Sequence, residues 1–208
     1  MLHECIKIWF HWVEEWGYLG VFILMAMESS IFPVPSEIVM PPAAFWAAQG
    51  KMGFWGVVLV GTLGSYFGSV VSYWLALVLG KPVVDRYGKY FLLSQPKIKQ
   101  AENWIIRFGV MGIFFARLLP VVRHLISIPA GIFRMRFVNF SLSTLLGAGL
   151  WCFVLSWFGK KVIGDHPELL RSPEEMLHVM QAKSHWVAGG VLLLLALYIV
   201  AIRLKKNQ

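Results

Sequence analysis

Charge is scarce in this chain. Only 14% of its 208 residues are Asp, Glu, Lys or Arg, against about 25% in soluble domains. So few charges cannot cover the surface of a soluble globular protein. Cysteine is nearly absent: Cys5 and Cys152 belong to no ligand cluster, which excludes a disulfide-rich secreted module and says nothing firm about redox compartment. His3, His11, His124, His166, His178 and His185 show no metal-ligand spacing with Cys, Asp or Glu, so no metal and no other cofactor is expected. A Gly-rich phosphate loop, a nucleophile elbow and a zincin His pair are all missing, which counts against an enzyme. The opening MLHECIKIWFHW lacks the basic start, clean apolar core and small-residue cleavage site of a signal peptide.

What is present is hydrophobic. The chain is 58% hydrophobic with 10 Trp, 15 Phe and 6 Tyr, which excludes disorder and predicts an integral membrane protein. The excess of 19 Lys and Arg over 11 Asp and Glu then requires no nucleic acid, because juxtamembrane basic residues account for it.

Along the chain, residues 1–16 place Ile6, Trp9, Phe10, Val13 and Trp16 at helical spacing with charges between them. This predicts an amphipathic helix in the membrane interface, the alternative being the first turns of a spanning helix. A membrane domain is expected over 17–164. Within it, residues 17–50 hold two half-length apolar runs around Pro33 and Pro35, each too short to cross a ~30 Å hydrocarbon core. They read as a re-entrant hairpin, whose irregular backbone needs burial in protein or a cavity wall. Residues 52–80 carry no charge and make a span, with Gly61, Gly64, Gly68, Ser65, Ser69 and Ser72 suited to close helix packing. Residues 81–108 are a basic connector. Residues 109–131, interrupted by Arg117, Pro120, Arg123 and Pro129 and closing on Gly131, form a second re-entrant unit. Residues 137–159 are a second span, 165–185 a polar extracytoplasmic loop, and 186–208 a third span with a basic tail.

The order repeats, and Gly17-Tyr-Leu-Gly20-Val21-Phe22 matches Gly109-Val-Met-Gly112-Ile113-Phe114. With Arg203, Lys205 and Lys206 in the cytoplasm, the basic residues of 81–108 together with Arg134 and Arg136 fall on the same side, as the positive-inside rule requires. The two hairpins then enter from opposite sides. The expected fold is an all-α membrane protein: an inverted repeat of re-entrant hairpin plus transmembrane helix, with an N-terminal amphipathic helix and an extra C-terminal span, the plan of secondary transporters.

Four charges interrupt the apolar units: Glu28, Glu37, Arg117 and Arg123. Each would cost about 2.5–3.5 kcal/mol at the centre of a membrane helix, so they must face one another, water or a ligand. Arg117 and Arg123, six positions apart, would diverge by about 120° on an unbroken helix. Pro120 between them frees both to turn to one cavity, and Pro33 and Pro35 act likewise for Glu28 and Glu37. Arginine's planar fork suits phosphate oxygens, and carboxylates withdrawn from water exchange protons more readily near neutral pH. The pattern predicts a carrier of a phosphate-bearing amphiphile, coupled to protons, with Arg117 and Arg123 on the substrate and Glu28 and Glu37 on protons or in ion pairs. The plainer alternative is that the four charges only clip the hairpins together. His124 is a weaker candidate for a proton relay, and Tyr73 and the serines near Gly68 are read first as packing residues, with lining of the cavity as the alternative.

The stretch Phe114-Phe-Ala-Arg117-Leu-Leu-Pro120-Val-Val-Arg123, followed by Pro129-Ala130-Gly131, is similar to the F-x-x-R-[FL]-x-P-x-x-R pattern of the DedA family, the bacterial branch of the VTT-domain (SNARE-associated Golgi protein) superfamily. Glu28-Ser-Ser-Ile-Phe-Pro33-Val-Pro35-Ser36-Glu37 resembles its E-x4-P-x-P-[SG]-[ED] pattern. The resemblance covers roughly 17–164. It implies a bacterial cytoplasmic-membrane protein that flips or scrambles lipid, undecaprenyl phosphate or phosphatidylethanolamine, with dependence on the proton motive force. It also implies that the family's two acidic and two arginine positions are Glu28, Glu37, Arg117 and Arg123. One departure stands out: many members carry an Asp where this chain has Ser69. A lipid-phosphate enzyme and a non-transporting assembly scaffold remain as other classes, and a homo-oligomer is left open.

Overall fold

The computed structural model describes residues 2–30, 36–87, 95–119 and 122–165. The polar loop after Asp165, the span expected at 186–208, and Pro33, Pro35 and Pro120 lie outside the described residues. All regular structure among the described residues is helical: α1 Leu2–Trp16, α2 Tyr18–Glu28, α3 Ser36–Ala48, α4 Phe54–Tyr87, α5 Gln95–Arg117, α6 Val122–Leu125, α7 Ser127–Ile132 and α8 Phe137–Asp165.

Two glycines set the same bend twice. Gly17, between α1 and α2, has φ 53° and ψ −122°, and Gly109, inside α5, has φ 52° and ψ −130°. Such positive-φ backbone is open to glycine and costly to residues with a Cβ. These are the glycines that head the repeated six-residue motif. After the first bend, α2 and α3 form a helical hairpin. The chain leaving α3 returns to the start of α2, where the Gly53 amide donates to the Tyr18 hydroxyl at 2.6 Å.

α4 and α8 are the long elements, and each contains an apolar span, Phe54–Val78 and Phe137–Lys161. Each of these 25-residue segments is about 37 Å long, enough to cross the hydrocarbon core with tilt. Their exposed faces are large and apolar: Trp55, Leu59, Leu63, Phe67 and Val71 on α4, and Val138, Leu142, Leu146 and Leu150 on α8. Four-residue spacing puts each set on one stripe. Apolar stripes of this length facing outward belong against lipid tails rather than water. Both helices run past the expected ends of 80 and 159, through residues 81–87 and to Asp165. The onset of charge after 80 and 159 marks membrane thickness, whereas Lys and Arg are good helix formers and do not stop a helix.

The inward faces are small, so backbones meet. A Cβ on Gly64 would lie 2.5 Å from the Phe22 carbonyl oxygen of α2, and one on Gly68 would strike the Ala26 carbonyl. On Gly131 of α7 it would strike the Tyr73 carbonyl of α4. Gly159 of α8 lies against Pro41 of α3, and Gly147 of α8 against Arg117 of α5. The packing is therefore crossed: α2 and α7 lie on α4, while α3 and α5 lie on α8.

Two apolar clusters fill the ends of this bundle. One joins Val21, Leu24, Met40, Val57 and Val58 to Trp151, Cys152 and Leu155. The other joins Tyr73, Ile113, Ala116, Ile126 and Ala130 to Phe140. Going along α4 the order is first cluster then second, and along α8 the reverse, so the two long helices are antiparallel. Between the clusters lies a polar layer. Its Ser65 and Ala148 fall near the middle of Phe54–Val78 and Phe137–Lys161.

Candidate functional site

The polar layer gathers Glu28 from the end of α2, Arg117 from the end of α5 and Arg123 from α6 around one small cavity. It is also lined by Ser29, Ser65, His124, Trp151 and Cys152. Glu28 and Arg117 are each 3% exposed and Arg123 is 6%. The interruption at Leu118 and Leu119 ends α5 and restarts the chain in α6, and this break lets both arginines reach the same layer.

The two arginines are held differently. Arg123 Nη2 donates to Glu28 Oε1 at 2.5 Å and to Ser36 Oγ at 2.6 Å. The Ser36 backbone amide, at the start of α3, donates to the same Glu28 oxygen at 2.8 Å. Trp151 Nε1 completes the set by donating to Ser36 Oγ at 3.3 Å, and its ring lies 4.9 Å from the Arg123 guanidinium carbon. Arg117 meets hydroxyls instead. Nη1 donates to Ser69 Oγ at 2.8 Å and Nη2 to Ser127 Oγ at 2.7 Å, while the Ser69 hydroxyl donates to the Ser65 carbonyl at 2.6 Å. The Arg117 guanidinium also faces the Phe140 ring at 5.8 Å. Among the described residues no carboxylate comes within salt-bridge distance of Arg117, and its Nε has no hydrogen-bond partner.

Ser29 and Ser65 hydroxyls meet at 2.7 Å, and Ser72 Oγ donates to the Ser29 carbonyl at 3.2 Å. These bonds tie the first hairpin to α4. The space open to a water-sized sphere is about 10 Å³, roughly enough for one water.

Of the residues singled out from the sequence, Glu28, Arg117 and Arg123 come together. Glu37 is the second residue of α3, and its side chain lies outside the described residues. Pro129 and Gly131 are buried within α7. Tyr73 turns away from the cavity and donates to the Met135 carbonyl at 2.5 Å. His124, given little weight from the sequence, lines the cavity. Sequence reasoning missed the serines as arginine holders: Ser36, Ser69 and Ser127 each serve one. A small hydroxyl residue in an apolar run is ambiguous between helix packing and hydrogen bonding, and only the partner across the bundle decides. Among the described residues, no group of three His, Cys, Asp or Glu side chains is arranged to hold a metal ion.

The chain matches the VTT domain over residues 34–161. It belongs to the VTT-domain (DedA) family. Undecaprenyl phosphate transporter A of Bacillus subtilis is 37% identical over 148 residues, covering 71% of this chain and 73% of that protein. The Staphylococcus aureus protein of the same name is 31% identical, covering 71% and 75%. An alkaline phosphatase-like protein of Lactococcus lactis is 34% identical, covering 76% of each chain. No solved structure matches. The VTT match contains Glu37, Arg117 and Arg123, while Glu28 precedes it. Membership and the two apolar spans make this a membrane protein.

Proposed function

We propose that this protein is a transporter that moves a phosphate-bearing lipid across the bacterial cytoplasmic membrane, undecaprenyl phosphate first and a phospholipid such as phosphatidylethanolamine second. One observation carries the reading: a buried guanidinium, Arg117, stands beside a polar cavity midway along two spans with only hydroxyls and a ring as described partners. A buried cation is expensive unless something anionic visits it. The names borne by the Bacillus and Staphylococcus relatives point to the same cargo.

In this reading Arg117 and Arg123 hold the phosphate, and Glu28 and Glu37 exchange protons. The matching bends at Gly17 and Gly109, followed in each case by a broken helix and a long one, support an inverted repeat with two re-entrant hairpins, 17–50 and 109–131, in a membrane domain over 17–164. The C-terminus is cytoplasmic by the distribution of Lys and Arg. With room for about one water, the cavity admits a headgroup only after the hairpins part, so the structure corresponds to a closed step of the cycle.

The test is translocation in proteoliposomes with and without a pH step, comparing undecaprenyl phosphate with phosphatidylethanolamine in wild type, Arg117→Ala and Glu37→Gln. Flux of one lipid, lost in both folded variants, supports the carrier; a response to the pH step supports proton coupling. Absence of flux for either lipid from well-folded wild type would leave the charges as structural clips. The phosphatase-like name of the Lactococcus relative favours a second reading, a lipid-phosphate hydrolase, and release of inorganic phosphate in the same vesicles would establish it.

A further inference from the structure

We infer that the Glu28 carboxylate is a built-in anion occupying the phosphate seat, so that substrate phosphate and charged Glu28 exclude one another. This rests on the lipid-phosphate reading above and adds how the site is regulated.

The donors around Glu28 Oε1 are those that proteins assemble for phosphate. One is the backbone amide of Ser36, at 2.8 Å, at the start of the 13-residue α3, where the helix dipole and free amides favour an anion. Another is the Arg123 guanidinium at 2.5 Å. The Ser36 hydroxyl, 2.6 Å from the same Arg123 nitrogen, stands at the edge of this set. Glu28 itself ends α2, where its own helix dipole opposes a negative charge. Its placement therefore depends on the donors of α3 and α6.

A second observation points to an anion from outside. Arg117 lines the same cavity, is 3% exposed, and keeps its Nε without a hydrogen-bond partner among the described residues. The cavity thus holds a positive charge that the described carboxylate does not neutralise. The donors decide between addition and exchange. The Ser36 amide has one hydrogen and gives it to Glu28, and Arg123 Nη2 is shared between Glu28 and Ser36, so a phosphate oxygen takes this seat only by replacing the carboxylate. A displaced Glu28, stripped of its donors in an apolar bundle, takes a proton from water, since an unpartnered buried carboxylate is far costlier than a neutral carboxyl. One phosphate entering is then matched by one proton taken up, and release reverses both. Among the described residues, the other titratable groups facing this cavity are Arg117, Arg123, His124 and Cys152.

The test is binding of inorganic sulfate, whose charge is constant through the neutral range, to the purified full-length protein in detergent, read by calorimetry. Wild type is expected to bind more tightly as pH falls. Glu28→Gln, which keeps an oxygen to accept from Ser36 and Arg123, should bind about tenfold more tightly at neutral pH, one charge-assisted hydrogen bond's worth, and lose the pH dependence. Sulfate binding equal in both, or a pH dependence that survives in Glu28→Gln and so belongs to another group such as Glu37 or His124, overturns the inference while leaving the carrier reading intact. Failure of both folded proteins to bind sulfate or inorganic phosphate at any pH overturns the phosphate site itself. If the variant does not fold, wild-type binding that is flat with pH overturns the inference alone.

Discussion

Replacing Arg123 with Met isolates the energetics of the buried pair. The side chains of Arg123 and Glu28 are 7% and 2% exposed, so removing the guanidinium leaves a buried carboxylate without that cation. Breaking a buried ion pair on one side costs about 3–5 kcal/mol. The Ser36 amide remains as a donor to Glu28, which places the expected loss at the lower end, about 3 kcal/mol. Removing both charges with Glu28→Leu and Arg123→Met is a different perturbation, because apolar replacements of similar size are often neutral against a buried pair. What the double variant loses is the acceptor of the Ser36 amide, about 1–3 kcal/mol. Reversible unfolding in mixed micelles, followed by Trp fluorescence, measures all three. The singles should each cost more than the double. An Arg123→Met loss below about 1 kcal/mol, or a double variant that costs the sum of the singles, would refute a buried, energetically coupled pair.

Three further substitutions probe Arg117 and the helix packing. Ser69→Asp places a carboxylate where Arg117 now meets a hydroxyl at 2.8 Å; it should lower sulfate affinity about tenfold by supplying an internal anion, which the calorimetric assay reads directly. Gly131→Ala drives a methyl into the Tyr73 carbonyl, with Ala76 Cβ also at 2.9 Å, whereas at Gly109 a Cβ meets nothing within 4 Å and the cost of about 1–3 kcal/mol is backbone strain alone. In the micelle assay Gly131→Ala should lose more stability than Gly109→Ala, and the reverse order would refute the close approach of α7 to α4.

Much of this was legible from residue chemistry because charge in an apolar run has few innocent explanations. Glu28, Arg117 and Arg123 stood out on cost, and they meet in the fold. The Gly17 and Gly109 motifs were visible as a short repeat, and their backbones coincide. Three features were not legible. Which carboxylate meets which arginine depends on the crossed packing of α3 on α8 and α7 on α4, a long-range property that no local pattern encodes. The continuation of α4 through 81–87 and of α8 to Asp165 was hidden because hydropathy reports membrane thickness rather than hydrogen bonding. The roles of Ser36, Ser69 and Ser127 were hidden because serine in a membrane helix serves packing and bonding alike.

The crossed packing also constrains how the site can open. Glu28 comes from the first hairpin and Arg123 from the second, yet α3 rests on α8 and α7 on α4. Each hairpin is thus braced by the long helix of the other unit. The contacts there are backbone against glycine, at Gly131 and Gly159, and such close-packed surfaces slip between discrete arrangements rather than stretch. Moving the first hairpin away from the midplane must therefore break the Arg123–Glu28 bond together with the Ser29–Ser65 bond, and moving the second must break it together with the Arg117–Ser69 bond. The charges and the packing then release as one event. A ligand that takes the place of Glu28 on Arg123 removes the ionic half of that fastening, leaving hydroxyl bonds worth about 1 kcal/mol each to hold the hairpins.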